Sequence, residues 1–136
     1  MGLRVDPRCE LPPSRQIVEA FLDRVASGAL APGDRLPSVR ALAEDVLVNP
    51  NTVGKAYRDL ESAGVVEGRN GSGVYVTEGG PSLARGLRRQ ETLAAFRRAT
   101  REALRAGHSA ESLRAALSRA EGKVVEAPAG AREDAS

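Results

Sequence analysis

The residues best suited to chemistry lie in one short stretch, residues 49–60. Side chains with amide, hydroxyl and cationic donors recur there at the spacing of one helix face, on Asn51, Thr52, Lys55 and Arg58. Asparagine can pair with adenine through two hydrogen bonds, threonine can touch a thymine methyl, and lysine or arginine can reach guanine or phosphate. The pattern favours a helix that contacts nucleic acid, although an ordinary amphipathic surface helix would carry similar residues.

The same stretch has the start signals of a helix and one apolar side. Asn49 can accept a hydrogen bond from a first-turn backbone N–H, and Pro50 suits the first helical position. The apolar residues follow at i, i+3, i+4 and i+7, and they are Val53, Ala56, Tyr57 and Leu60. We therefore predict a helix over about residues 50–63 that is buried on one side and polar on the other.

Two further helices are predicted before this one. The first runs from about Pro13 to Gly28 and has an apolar face formed by Ile17, Val18, Phe21, Leu22 and Val25. Ser38 can cap the second, whose buried stripe is formed by Val39, Leu42, Ala43 and Val46. Only residues 47–48 separate the second helix from the third. This is the helix-turn-helix pattern, in which the later helix lies in the major groove.

A β-hairpin is predicted directly after the third helix. Two short β-branched runs, residues 65–67 and 74–76, flank residues 69–73, which contain the hairpin signal Asn-Gly. A hairpin in this position is a wing, with Arg69 at its tip and glycines that let the backbone approach phosphate. Because a lone two-stranded hairpin is marginally stable, we expect its valines to pack against the helices.

Together these segments resemble the GntR family of bacterial transcriptional regulators. The resemblance covers about residues 11–77, and its motifs lie at residues 28–43, 48–53, 56–61 and 71–76. It implies a winged helix-turn-helix DNA-binding domain over residues 11–78. It also implies DNA contacts from the second helix, from the start of the third and from the wing. The predicted DNA-binding residues are Arg35, Ser38, Arg40, Asn49, Asn51, Thr52, Lys55, Arg58, Arg69, Gly71, Ser72 and Gly73.

Two of the family positions leave an alternative open. Arg35 is a common companion of Arg40 in the family motif, but an ion pair with Asp34 or Glu44 would also explain it. Gly54 stands at a groove-side position where many members carry a longer polar residue. It permits close approach to the bases, or it means fewer direct contacts and a different operator sequence.

Two amphipathic helices are predicted over residues 82–122, after a hinge at residues 79–81. Because two helices cannot bury their apolar stripes alone, we expect them to pair with a second copy of the chain. This short end resembles the YtrA-type branch of the family. The predicted interface residues are Leu87, Leu93, Phe96, Leu104, Leu113 and Leu117. The arginines of the region are interpreted as a solvated face, and residues 123–136 as a disordered tail.

Composition narrows the function classes. The chain has 136 residues, of which 3% are aromatic, so a large core or a ring-lined ligand pocket is not expected. One cysteine and one histidine provide neither a catalytic set nor a multi-cysteine metal site, so no enzyme activity, metal or cofactor is expected. Without a signal segment or an apolar run of membrane-spanning length, we expect a cytoplasmic protein and no membrane partner.

Charge is distributed unevenly along the chain. Residues 1–78 carry nine Lys or Arg and eleven Asp or Glu, a net charge of −2, whereas residues 79–136 carry eleven and seven, a net charge of +4. Neutralisation of phosphates supplies most of the affinity for DNA. If residues 1–78 bind DNA, their basic side chains must therefore lie on the face that contacts it and their acidic side chains on other faces.

The sequence thus predicts a mainly α fold with a small β-hairpin. It predicts a sequence-specific repressor, acting as a homodimer on double-stranded DNA with an inverted-repeat operator. The wing, residues 69–73, would touch the backbone or the minor groove. The alternative is a winged helix used for protein–protein contact or for non-specific architectural DNA contact. A small-molecule effector of unidentified chemistry would bind at the junction of the wing domain and the helical hairpin.

Overall fold

The computed structural model describes residues 2–125, and the chain divides into two compact units, Met1–Arg88 and Arg89–Ser136. Five helices and one antiparallel hairpin make up the described part, so the predicted mainly α fold is confirmed. The elements are α1 (Pro13–Ser27), α2 (Val39–Val46), α3 (Pro50–Ser62), β1 (Val66–Arg69), β2 (Gly73–Val76), α4 (Gly80–Arg105) and α5 (Ala110–Val125).

The core of the first unit lies between α1, α2 and α3. Every residue of the predicted apolar faces of α1 and α3 is buried, and Val39 is the one residue of the α2 stripe that is only half-buried. Phe21 and Tyr57 meet edge to face, with their ring centroids 5.7 Å apart. Burying each large apolar side chain contributes about 1.5–3 kcal/mol to folding, so this cluster fixes the orientation of α3.

The N-terminal segment is anchored to α1. Leu3 is buried in the core, and no pattern in the sequence predicts this. The Gln16 side chain accepts a hydrogen bond from the backbone N–H of Asp6 and donates to the carbonyls of Asp6 and Leu11, each at 2.8 Å. Cys9 lies exposed in the turn that these bonds hold.

The hairpin is supported on its second edge by a third backbone segment. Within it Val66 pairs with Val76 and Arg69 with Gly73, so the strands extend further toward the tip than predicted and leave residues 70–72 as the loop. On the edge of β2 that faces away from β1, the N–H of Leu36 donates to the Val74 carbonyl at 2.8 Å and the N–H of Gly33 donates to the Val76 carbonyl at 2.9 Å. This edge pairing is what makes a short hairpin stable here.

The first turns of α4 belong to the first unit. The helix begins at Gly80, which is buried, so Gly80 and Pro81 form a packed helix start within residues 79–81, where the sequence predicted a hinge. A Cβ at residue 80 would lie 2.7 Å from the Val65 carbonyl oxygen, and therefore only glycine fits there. Ala84 is fully buried, and Arg88 binds Glu19 and Asp23 of α1 at 3.3 and 2.7 Å.

The second unit contains the rest of α4 and α5. α5 begins at Ala110, after the Ser109 hydroxyl accepts a hydrogen bond from the Ser112 N–H, and it ends three residues beyond Gly122. Residues 126–136 of the predicted tail lie outside the described residues. Within residues 2–125, none of the helices is both long enough and apolar enough to span a bilayer.

Candidate DNA-binding surface

The helix-turn-helix is fixed by two capping side chains. The Ser38 hydroxyl accepts a hydrogen bond from the Ala41 N–H at 3.1 Å and starts α2. The Asn49 side-chain oxygen accepts from the Asn51 N–H at 2.8 Å and starts α3. Both caps were predicted. They leave the Ser38 O–H and the Asn49 amide NH₂ as donors for a bound molecule.

The turn between the two helices contains an unusual residue. Leu47 ends α2 with φ of 59°, and it is the one described residue other than glycine with a positive φ. Its side chain is 89% exposed. Leucine in this conformation is strained, because its Cβ approaches the following carbonyl. The turn therefore holds an apolar side chain in solvent immediately before the start of α3.

The polar face of α3 is open to solvent. Asn51, Lys55 and Arg58 are exposed and Thr52 is half-buried, whereas the other side of the helix is packed into the core. The Lys55 ammonium lies 3.2 Å from the Asp59 carboxylate one turn later, an exposed pair that is worth only about 0.3–0.5 kcal/mol. The face can therefore offer its donors to a partner at little cost.

Arg35 lies beside the wing. A Cβ at Gly73 would lie only 2.6 Å from the Arg35 Nε, so the glycine leaves the space that the arginine side chain fills. Arg35 also forms an antiparallel bridge with Tyr75 through its backbone. In the described part of the chain, Arg35 makes no ion pair with Asp34 or Glu44, the alternative that the sequence left open.

The wing carries a second positioned cation. The Arg69 guanidinium lies 4.3 Å from the centre of the Tyr75 ring, and it also approaches the Glu67 carboxylate at 3.5 Å. The loop that follows contains Gly71 at φ of 74°, a conformation that suits glycine. The Tyr75 hydroxyl donates to the Ser72 carbonyl at 3.3 Å. Arg69 is therefore held on the wing by stacking and by one exposed ion pair.

A buried tyrosine connects this surface to the core. The Tyr57 hydroxyl donates to the Pro37 carbonyl at 2.7 Å, across twenty residues of sequence. Burial raises the pKa of that hydroxyl far above its ordinary value, so it stays protonated and keeps its donor. The sequence placed Tyr57 in the apolar stripe but gave no sign of this bond. It fixes the segment that leads into α2 against α3.

The acidic residues of the first unit are partly neutralised away from α3. Glu19 and Asp23 bind Arg88, and Arg85 of the same helix donates to the Ala26 carbonyl at 3.4 Å. Two of the arginines that were interpreted as a solvated face are thus used in packing α4 on α1. The net charge of residues 1–78 is consequently a poor guide to the charge presented by α3.

All twelve residues predicted to bind DNA lie in the first unit, and ten of them are exposed. Only Thr52 and Gly73 are half-buried. The two helices, the turn and the wing therefore present one set of amide, hydroxyl, guanidinium and backbone donors. Such a set can form hydrogen bonds with phosphate oxygens and with base edges.

The second unit presents large apolar side chains to solvent. Leu93, Phe96, Leu104 and Leu117 are each 48–52% exposed, and Leu113 is half-buried. Leu87, which was predicted at the same interface, belongs to the first unit and packs against its core. Most of the surface of Leu87 is therefore covered within its own chain.

Comparison with protein families and curated proteins gives one consistent result. The family model described as bacterial regulatory proteins, gntR family, matches residues 13–76. The chain is 43% identical over 76 residues to the HTH-type transcriptional repressor YtrA of Bacillus subtilis, covering 56% of this chain and 58% of that protein. It is 45% identical over 82 residues to the HTH-type transcriptional regulator Rv1152 of Mycobacterium tuberculosis, covering 60% and 68%. The match to YtrA thus spans less than two thirds of that repressor.

Solved structures extend the similarity beyond the wing. A GntR family transcriptional regulator from Listeria monocytogenes matches with a TM-score of 0.68 and 28% identity, over 81% of this chain and 96% of that one. YtrA from Sulfolobus acidocaldarius, a GntR-family transcription factor, matches with a TM-score of 0.56 and 31% identity, over 69% and 96%.

Proposed function

Because the chain belongs to the GntR family of bacterial regulatory proteins, we propose that it is a repressor that binds an inverted-repeat operator as a homodimer. The observation that carries the proposal is the exposed polar face of α3, which is capped by Asn49 and turned outward by the buried stripe on its other side. In a helix-turn-helix, this is the helix that enters the major groove.

The proposed contacts divide into base reading and positioning. Asn51, Thr52 and the cations of α3 would meet base edges, since amides and guanidinium groups can form paired hydrogen bonds there. Arg35, Arg40 and Arg69 would bind phosphates on either side of the groove, or reach the minor groove from the wing. Phosphate contacts set the affinity and its salt dependence, whereas base contacts set the sequence preference.

The dimer is proposed from the apolar surface of the second unit. Four large apolar side chains that are about half exposed on two helices leave an unfavourable surface in water. A second copy of the same surface would cover it, and a two-fold dimer would present two copies of α3 to two half-sites.

The proposal is tested by fluorescence anisotropy on labelled DNA from upstream of the protein's own gene, with a scrambled duplex of equal length as the control. We expect tighter binding to the upstream duplex at both of two salt concentrations, with two chains per site. Equal and salt-labile binding to both duplexes would contradict sequence reading and would favour an architectural role.

Two substitutions test the assigned surface. Asn51→Ala and Arg40→Ala should each weaken specific binding by about 1–3 kcal/mol. Arg114→Ala, an exposed arginine of α5, serves as the matched control and should leave the affinity unchanged. If both surface variants bind the upstream duplex as well as the unmodified protein, the surface has been assigned incorrectly.

A further inference from the structure

The one glycine inside α3 lies beneath an arginine. Gly54 is on the polar face, four residues before Arg58, so the two occupy successive turns of the same side. A Cβ placed on Gly54 would lie 3.4 Å from the Arg58 Nη1. The side chain of Arg58 therefore runs back toward the start of the helix, and its guanidinium covers the place where a side chain of residue 54 would stand.

Arg58 is also the less engaged of the two cations on this face. Lys55 is paired with Asp59 at 3.2 Å, whereas Arg58 is exposed and forms no ion pair within residues 2–125. A guanidinium carries a planar fork of N–H donors, which matches the O6 and N7 acceptors of guanine in the major groove. The geometry thus combines an open position on the helix with a donor that reaches over it.

We propose that Gly54 and Arg58 act together as the specificity determinant of α3, with Arg58 reading a guanine at the place that a longer side chain at residue 54 would occupy. This inference rests on the proposed function, because it requires α3 to lie in the major groove. Gly54 contributes by leaving space, and Arg58 contributes the hydrogen bonds. The missing side chain at residue 54 therefore relocates a base contact instead of removing it.

The test begins with a random duplex pool, from which the full-length protein selects its preferred sequence. Each base pair of one half-site is then changed in turn, and the loss of affinity is measured for the unmodified protein and for each variant. We expect one guanine whose replacement weakens binding by roughly 5- to 150-fold. With Arg58→Ala, which removes the guanidinium, that loss should fall to less than about 2-fold while the preferences at other positions remain.

Substitutions at residue 54 test whether the space left by Gly54 is needed for the hydrogen bonds of Arg58. Gly54→Ala brings a Cβ to ordinary contact distance of Arg58 and should keep the guanine preference. Gly54→Leu needs the volume that the guanidinium occupies, and it should abolish the same preference as Arg58→Ala does. The double variant should then lose no further discrimination at that base pair. Arg40→Ala is the matched control, because Arg40 is assigned to phosphate, and it should lower affinity for all duplexes without changing the preferred base.

The outcomes distinguish this inference from the proposed function. If the unmodified protein selects no sequence from the pool, the proposed function fails and the inference fails with it. If it selects a sequence, but Arg58→Ala retains the full guanine preference, the assignment of Arg58 is wrong while the proposed function stands. If Gly54→Leu retains the preference, the spatial role of Gly54 is wrong. Circular dichroism melting of each variant confirms that the fold is kept.

Discussion

At the scale of single residues, the surface depends on side chains that do not themselves belong to it. Tyr57 is buried, yet its hydroxyl fixes the Pro37 carbonyl, one residue before the cap of α2. The spacing between α2 and α3 therefore depends on one hydrogen bond as well as on apolar packing. Removing the Tyr57 hydroxyl should therefore lower the free energy of unfolding. The pH dependence of that loss identifies the hydroxyl as its cause.

Tyr57→Phe should lower the free energy of unfolding by about 1 kcal/mol at pH 8, because the Pro37 carbonyl loses its donor. Burial raises the pKa of the Tyr57 hydroxyl, so the unfolded chain ionises first as the pH rises. The contribution of the neutral phenol is thus complete below a pH of about 10 and declines above it. The gap between the two proteins in denaturant unfolding should shrink above that pH.

The control for this prediction is Tyr75→Phe, which removes the more exposed tyrosine hydroxyl of the wing. It should change stability little at either pH. A gap for Tyr57→Phe that stays constant into the alkaline range would show that the effect comes from packing and not from the hydrogen-bonded phenol.

Gly73→Ala should lower both the stability of the wing and the affinity for DNA, and the two losses should have different causes. Gly71 and Gly73 both have positive φ, at 74° and 132°, so alanine at either residue costs on the order of 1–3 kcal/mol of stability. Only at residue 73 would the new Cβ meet Arg35, at 2.6 Å. The arginine is flexible enough to move away, so we expect Gly73→Ala to lose DNA affinity as Arg35→Ala does.

Gly71→Ala is the matched control, since its Cβ would meet no atom within 4 Å. Thermal melting and anisotropy on the same operator duplex measure the two effects. Equal losses of affinity in Gly71→Ala and Gly73→Ala would show that backbone conformation, and not the displacement of Arg35, controls binding.

At the scale of the elements, the tightest constraint is the three-residue turn, residues 47–49, between α2 and α3. Leu47 adopts a left-handed conformation that costs leucine about 1–2 kcal/mol. Leu47→Asn should therefore raise the free energy of unfolding by up to about 1 kcal/mol, because asparagine tolerates this conformation better. Chemical denaturation measures the change.

Leu47→Ala provides the comparison, since it removes the exposed apolar side chain but keeps a Cβ in the strained conformation. It should gain less stability than Leu47→Asn. If the two variants are equally stable, the strain at this turn is smaller than the backbone angle indicates.

Local signals predicted the helices and their caps well, because those signals lie within a few residues of each other. Ser38 and Asn49 were identified as caps from their types and positions, and the structure confirms both. The pairing of residues 33–36 with β2 was not predicted, since it joins segments about forty residues apart with no shared pattern.

The features of the candidate surface that were not predicted also depend on contacts between distant segments. The residue types on α3 indicated a polar face directly, because helical periodicity is a local property. The space that Gly73 leaves for Arg35, and the Tyr57 hydroxyl on Pro37, depend on tertiary approach. The start of α4 was placed too late for a related reason, since Gly79-Gly80-Pro81 has the composition of a turn while its packing on Val65 makes it a helix start.

At the scale of the whole molecule, the proposed dimer predicts that the oligomeric state in solution and the affinity for DNA change together. Phe96→Glu places a carboxylate in the apolar stripe of α4, and burying an unpaired charge in an interface is strongly unfavourable. We expect this variant to sediment as a monomer at concentrations where the unmodified protein is a dimer. Its affinity for a full inverted repeat should fall to that for a single half-site.

Ala95→Glu is the matched control, because it introduces the same side chain at the neighbouring exposed residue, outside the stripe. Analytical ultracentrifugation should find it dimeric. A monomeric unmodified protein, or a dimeric Phe96→Glu, would contradict the proposed interface.

The anchored N-terminal segment also makes the protein easy to label at one defined point. Cys9 is the one cysteine in 136 residues, its thiol is exposed, and its turn is held to α1 through Gln16. A nitroxide attached there would follow the first unit closely, without a second thiol to confuse the signal. Two such labels on one operator would turn half-site spacing into a measurable electron–electron distance, with no change to the native sequence.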